Sequence, residues 1–143
     1  MPSMETSPSP VPVTAQRRSA GEWKQEILRA YNRVTQELTG GGVSQQRVHL
    51  AEEYVLVVAR HQRVPTLRTI ATVDAALARW ADVAVVDAVK VRFGQVLTDL
   101  GLDVVTVLKD YDPVAELTAT VVVLGSPVPY GDPSPGSAPP AAM

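Results

Sequence analysis

The residues best suited to chemistry are three arginines gathered in one short segment. Residues 60–68 read Arg-His-Gln-Arg-Val-Pro-Thr-Leu-Arg, with Arg60, Arg63 and Arg68 and no acid among them. Guanidinium forks match the paired oxygens of phosphate or carboxylate. The segment also runs through Pro65 and Thr66 into the expected first turn of a helix, where free N–H groups and the positive dipole end favour an anion. Arg60, Arg63, Thr66 and Arg68 are therefore the candidate anion-binding residues. A solvated connector, with arginine serving solubility, accounts for the same composition without a ligand.

Other chemistry has less support. There are two histidines, His49 and His61; they flank the expected first hairpin, are poorly placed to share a metal and lack an evident third ligand. Asp103, Asp110 and Asp112 cluster around the second hairpin, where turn and edge positions explain them as well as acid–base or cation-binding work does. Ser44 has no base beside it. The run Gly40-Gly41-Gly42 follows a helix instead of a strand and no Lys-Ser/Thr follows it, so it reads as a helix stop and not a phosphate loop. With no cysteine there is no disulfide framework, thiolate zinc site or cysteine nucleophile. No catalytic residue, metal or cofactor is expected, and the chain is not expected to be an enzyme.

The 143 residues make one domain by length. Ten of the 12 prolines lie outside residues 20–125. Residues 1–19 and 126–143 lack the apolar content to offset ordering entropy, so both are expected to be disordered tails around a folded part at 20–125. No apolar run reaches the roughly 18 residues that span a bilayer, and no secretory signal is evident, so a soluble cytoplasmic protein is expected. A net charge of −2 offers nucleic acid no general attraction. Seven aromatic residues without basic interleaving do not resemble a single-strand reader. The charge is uneven: residues 1–72 hold nine Lys/Arg and six Asp/Glu, and residues 73–143 hold four and nine. Such asymmetry can help units or subunits dock.

Periodicity places the elements. Trp23, Ile27, Tyr31, Val34 and Leu38 recur every three or four residues, which predicts a helix over about 21–38. Ser19 and Glu22 fit a capping box at its start. Residues 46–50 alternate as a strand, and 54–60 are apolar enough to suggest a central strand covered on both faces. A turn at 51–53 makes these a hairpin. Pro65 opens a short helix to about 72, and Asp74 caps a long one to about 100. Within that long helix, residues 82–92 are rich in β-branched types that also suit a strand; length and flanking alanines favour helix. Strands follow at about 104–108 and 117–124, linked by 109–115.

The two halves look alike. Gln36, Leu38, Thr39, Gly42 and Val48 recur 59 positions on as Gln95, Leu97, Thr98, Gly101 and Val107. The expected fold is α+β: two αββ units forming a four-stranded, mainly antiparallel sheet with the helices packed on one face. The long helix carries Leu77, Trp80, Ala84, Val85, Ala88, Val89, Val91 and Val96 around most of its circumference, more than one sheet covers. Trp80, Val85 and Val89 are therefore the candidate interface residues of a homodimer.

Asn32-Arg33-Val34, Thr39 to Ser44, Tyr54 to Val58, Pro65-Thr66-Leu67, Leu97-Thr98 and Lys109-Asp110, in this order, resemble the MpsC-like domain, a short prokaryotic family without established biochemistry. The resemblance covers about residues 22–125. Where the family carries Arg and Pro within its Gly-rich turn, this chain has Gly41 and Val43; where the family has an acid soon after its Thr-Pro, this chain has Arg68. The family name points to a sodium-translocating, membrane-potential-generating system, which implies at most an accessory of a membrane complex. The expected function is a non-enzymatic interaction module that self-associates or binds a protein partner; the alternative is a small-anion-sensing domain using residues 60–68.

Overall fold

The computed structural model describes residues 18–131. The elements are α1 (Ala20–Thr39), β1 (Ser44–Leu50), β2 (Tyr54–Arg60), α2 (Pro65–Val73), α3 (Ala75–Leu100), β3 (Val104–Asp112) and β4 (Leu117–Leu124). The fold is α+β, with a four-stranded antiparallel sheet in the order β1-β2-β4-β3. The segment over residues 82–92 is helical throughout.

Local signals set the helix ends. Ser19 Oγ accepts from the Glu22 amide at 3.1 Å and the Glu22 carboxylate accepts from the Ser19 amide at 2.8 Å, a complete capping box. Gly40 stops α1 and Gly101 stops α3, each in the left-handed region at φ 79° and 113°, where a Cβ would be strained. The stop of α1 is thus Gly40 and not Gly42, the residue that the 59-residue spacing pairs with Gly101. Leu38 and Leu97 also differ, the first 42% exposed and the second fully buried.

One core lies between the inner face of the sheet and the helices. Trp23, Ile27, Tyr31 and Val34 of α1 meet Phe93 and Leu97 of α3 and Val55, Val57 and Val122 of the central strands. Tyr31 and Phe93 pack edge to face, centroids 5.3 Å apart. The helix α2 packs on α3.

Three expectations need correction. First, β2 is central but covered on one face only: Val55, Val57 and Ala59 are buried, whereas Leu56 and Val58 are half-buried on the outer face. Second, β3 continues to Asp112, so Lys109, Asp110 and Tyr111 are strand residues and not linker. Third, the boundaries of the tails at 19 and 126 are too generous. Arg18 stacks on the Trp23 ring at 4.7 Å and pairs with Tyr130 as a parallel bridge. Val128 is 4% exposed, and the Trp23 indole donates to the Pro129 carbonyl at 3.1 Å. The large indole in the first turn of α1 needs both an apolar lid and an acceptor for its N–H, and this Pro-containing segment supplies both. Residues 1–17 and 132–143, the remainder of the expected tails, lie outside the described residues.

Val128→Ala should therefore lower the unfolding free energy by about 1–2 kcal/mol. The urea midpoint should fall with the slope unchanged. An unmoved midpoint would mean that residues 126–131 rest on the core without stabilising it.

Candidate functional site

The expected anion segment does not converge. Arg63 forms a bidentate ion pair with Asp82 of α3, both side chains less than one-fifth exposed. Arg60 points to the outer face and donates to the Ala115 carbonyl at 3.3 Å. Arg68 donates to the Arg63 carbonyl at 3.4 Å and lies 3.9 Å from the Glu116 carboxylate. Thr66 is exposed in the first turn of α2. A segment without acids in sequence thus meets Asp82 and Glu116 in space, and Arg63 is neutralised within the fold.

Behind this segment lies a cation that the sequence reading did not single out. Lys109 points inward from β3. Its ammonium donates to the Tyr31 hydroxyl at 2.6 Å, to Thr118 Oγ1 at 2.7 Å and to Thr120 Oγ1 at 3.2 Å. It also sits over the Tyr31 ring, 4.8 Å from the centroid. All three donors are used, and no carboxylate pairs with Lys109 among the described residues. Burial pushes its pKa below the ordinary lysine value, opposed by Tyr31. Strand alternation explains the placement: Val107, Lys109 and Tyr111 share one face of β3, and Thr118 and Thr120 share the same face of β4. Extending the period-two reading of β3 by four residues would have found it.

Lys109 forms part of the wall of a cavity of about 30 Å³, together with Thr35, His61, Val85, Val89 and Tyr111. Two buried polar atoms on this wall, Thr35 Oγ1 and His61 Nε2, have no hydrogen-bond partner. His61 is held by a flat stack on Tyr111, centroids 4.8 Å apart and planes 8° from parallel, and the Tyr111 hydroxyl donates to the His61 carbonyl at 3.3 Å. Burial first, and the Lys109 charge second, hold the His61 pKa below its ordinary 6.5, partly opposed by a hydrogen bond to the Gln62 backbone and by Glu116. An open cleft of about 450 Å³ lies on the other side of His61, Gln62 and Arg63, between the connector and the glycine turn. Asn32 Oδ1 fixes that turn by accepting from the Val43 amide at 3.3 Å.

The second candidate feature is the outer face of the sheet. Four cross-strand rows lie on it: Arg47–Val58–Ala119–Asp110, His49–Leu56–Val121–Leu108, Tyr54–Val123–Thr106 and Arg60–Leu117–Asp112. Its middle is apolar, with Tyr54, Leu108 and Leu117 exposed and Leu56, Val58, Val121 and Val123 half-buried. Its β1 side is basic and its β3 side acidic.

The expected helix interface is partly corrected. Val89 is 3% exposed and belongs to the core, and Val85 is half-buried against it. Trp80 is 73% exposed, with Leu77, Val83 and Val91 also exposed along α3. Leu77, Trp80, Ala84 and Val91 fall on one exposed helical stripe. The aspartates do not form a site: Asp112 accepts from the Val114 and Ala115 amides to shape the β3–β4 turn, and Asp103 accepts from Ser126. No group of three His, Asp or Glu residues converges among the described residues. No described helix is long and apolar enough to cross a membrane.

The histidine gives a pH prediction. A folded pKa below the unfolded value means that the unfolded chain binds more protons just below pH 6.5, so stability falls as pH drops through that window. His61→Phe keeps the stack on Tyr111 and removes the titration. Urea unfolding between about pH 7 and pH 5.5 should show a falling midpoint in the parent and a flatter profile in the variant; equal slopes would refute the assignment. Searches of protein families, curated proteins and solved structures give this chain no match.

Proposed function

We propose that this chain is a non-enzymatic interaction module that pairs with a second copy of itself through the open face of its sheet. The observation that supports this reading is the order of residues across one row. Arg47, Val58, Ala119 and Asp110 lie side by side over β1, β2, β4 and β3. A two-fold axis parallel to the strands, passing between β2 and β4, reverses this order in the facing sheet. Arg47 of each copy then faces Asp110 of the other, and Val58 faces Ala119. The same operation sets the apolar row of Leu56 and Val121 against itself.

Two twisted sheets stack about 10 Å apart, at roughly −30° when aligned, and side chains from both faces fill the gap. An isologous contact of this kind needs one self-complementary patch, which the row provides. Burial of the central aliphatic side chains gives the driving force, at about 25 cal/mol per Å². The flanking charges fix the register and exclude the alternative axis, across the strands, that would set Arg47 near Arg47. The resemblance to the MpsC-like domain, a family without assigned chemistry, is compatible with the interaction reading.

Light scattering coupled to size exclusion tests the proposal. The parent should be a dimer at about 100 µM, well above the dissociation constant of a standard-sized interface. Val121→Glu should raise that constant about 100-fold or more by placing a charge at the centre of the face. Arg47→Glu should weaken the dimer, and Arg47→Glu with Asp110→Arg should restore it. Trp80→Arg should leave the dimer intact. A monomeric parent, or a dimer lost on Trp80→Arg and indifferent to Val121→Glu, would overturn the reading.

A further inference from the structure

We propose that the cavity between Lys109, Thr35 and His61 is a binding site for a small monovalent anion of bicarbonate, formate, nitrate or halide size. Three independent features of the same chamber lead there. The first is an uncompensated charge. The Lys109 ammonium is surrounded by the neutral oxygens of Tyr31, Thr118 and Thr120, which satisfy its hydrogen bonds but not its charge. Neutral ligands leave the field of a buried cation in place, and an anion lowers its energy most.

The second feature is a pair of unused groups. Thr35 is 2% exposed, and its hydroxyl donates to nothing in the fold; His61 Nε2 is buried and equally unpartnered. Buried polar atoms of this kind are rare in folded proteins and call for a partner. A hydroxyl and an imidazole on two residues that line one chamber offer two donors to an anion once His61 is protonated. The groups that face His61 determine when that happens. Lys109 and Tyr111 come from β3, the Arg63–Asp82 pair from the connector and α3, and Glu116 from the β3–β4 turn. Lys109 disfavours the imidazolium and Glu116 favours it. An anion placed between His61 and Lys109 reverses the balance, so binding takes up a proton.

The third feature is size and access. A chamber of about 30 Å³ suits one or two waters or an anion of a few atoms. The cleft beyond His61, Gln62 and Arg63 gives a route in, through residues outside regular secondary structure. Arg63 and Asp82 also line the chamber, but paired with each other they add no net charge to it, so Lys109 and not the arginine segment supplies the cation.

The test uses the full chain in a low-salt zwitterionic buffer, with sodium bicarbonate, formate, nitrate and chloride as separate probes and sulfate as the oversized control. At least one small anion should raise the melting temperature in a saturable way. Its dissociation constant should tighten as pH falls from about 7 to 6, with proton uptake seen as a buffer-dependent heat in calorimetry. Thr35→Val, which keeps the shape and removes the hydroxyl, should weaken binding about tenfold. Lys109→Met should abolish it. The fold of each variant is checked by circular dichroism, and Thr35→Val carries the test if Lys109→Met does not fold. The absence of a saturable shift with every small anion at pH 6 would overturn the proposal. So would binding that survives Thr35→Val at full strength, or binding of sulfate as tight as that of the small anions.

Discussion

The pairing of β2 with β4 governs the rest of the molecule. Each strand brings its own hairpin partner, so seven consecutive pairs from Tyr54↔Val123 to Arg60↔Leu117 lock the two αββ units together. Because strand side chains alternate, this single register decides both faces at once. On the inner face it places Val57 beside Thr120 and Ala59 beside Thr118, which leaves hydroxyls where β3 delivers Lys109. On the outer face it aligns Arg47 with Asp110 across four strands. A slip of one residue would bury the outer aliphatic row, expose the core valines and separate Lys109 from its oxygens.

The inner face carries an unresolved conflict between packing and charge. Valines along β2 and β4 favour a dry interior, whereas Lys109 requires polar neighbours. The fold confines the conflict to one end of the sheet, where Tyr31, Thr118 and Thr120 form a cage with threonine, a β-branched residue suited to strands. The cage satisfies geometry without neutralising charge. That end also holds two of the three unpartnered buried side-chain atoms found among the described residues, Thr35 Oγ1 and His61 Nε2. The remaining inner face, around Val55, Val122 and Phe93, is conventional aliphatic and aromatic packing.

Local rules made most of the fold legible in the sequence. The capping box at Ser19, the stripe from Trp23 to Val34, the turn after β1 and Asp74 at the start of α3 each depend on residues within a few positions of one another. What escaped reading depends on distance in the chain. Arg63 looked free because its carboxylate lies on α3, 19 residues away. Lys109 looked like a turn residue because aspartates and Pro113 follow it, and nothing local reveals that Tyr31, 78 residues earlier, holds its ammonium. Val89 looked like an interface residue because the sequence could not show that α1 and α3 press together along the second half of α3. The outer face of β2 was misread for the opposite reason: an apolar strand in a one-sided sheet has the same composition as one covered twice.

The contact at the other end of the molecule has a topological consequence. Gly131 donates its amide to the Arg18 carbonyl at 3.0 Å, so the first and last described residues are neighbours. The described segment is therefore nearly a ring, closed by hydrogen bonds where a peptide link would otherwise run. Joining those two positions covalently would ask little of the native geometry, and the 51–53 turn offers a surface point at which such a ring could be reopened. The sheet and its three helices then define a cyclic arrangement in which the 51–53 turn and the Arg18–Gly131 junction are alternative seams.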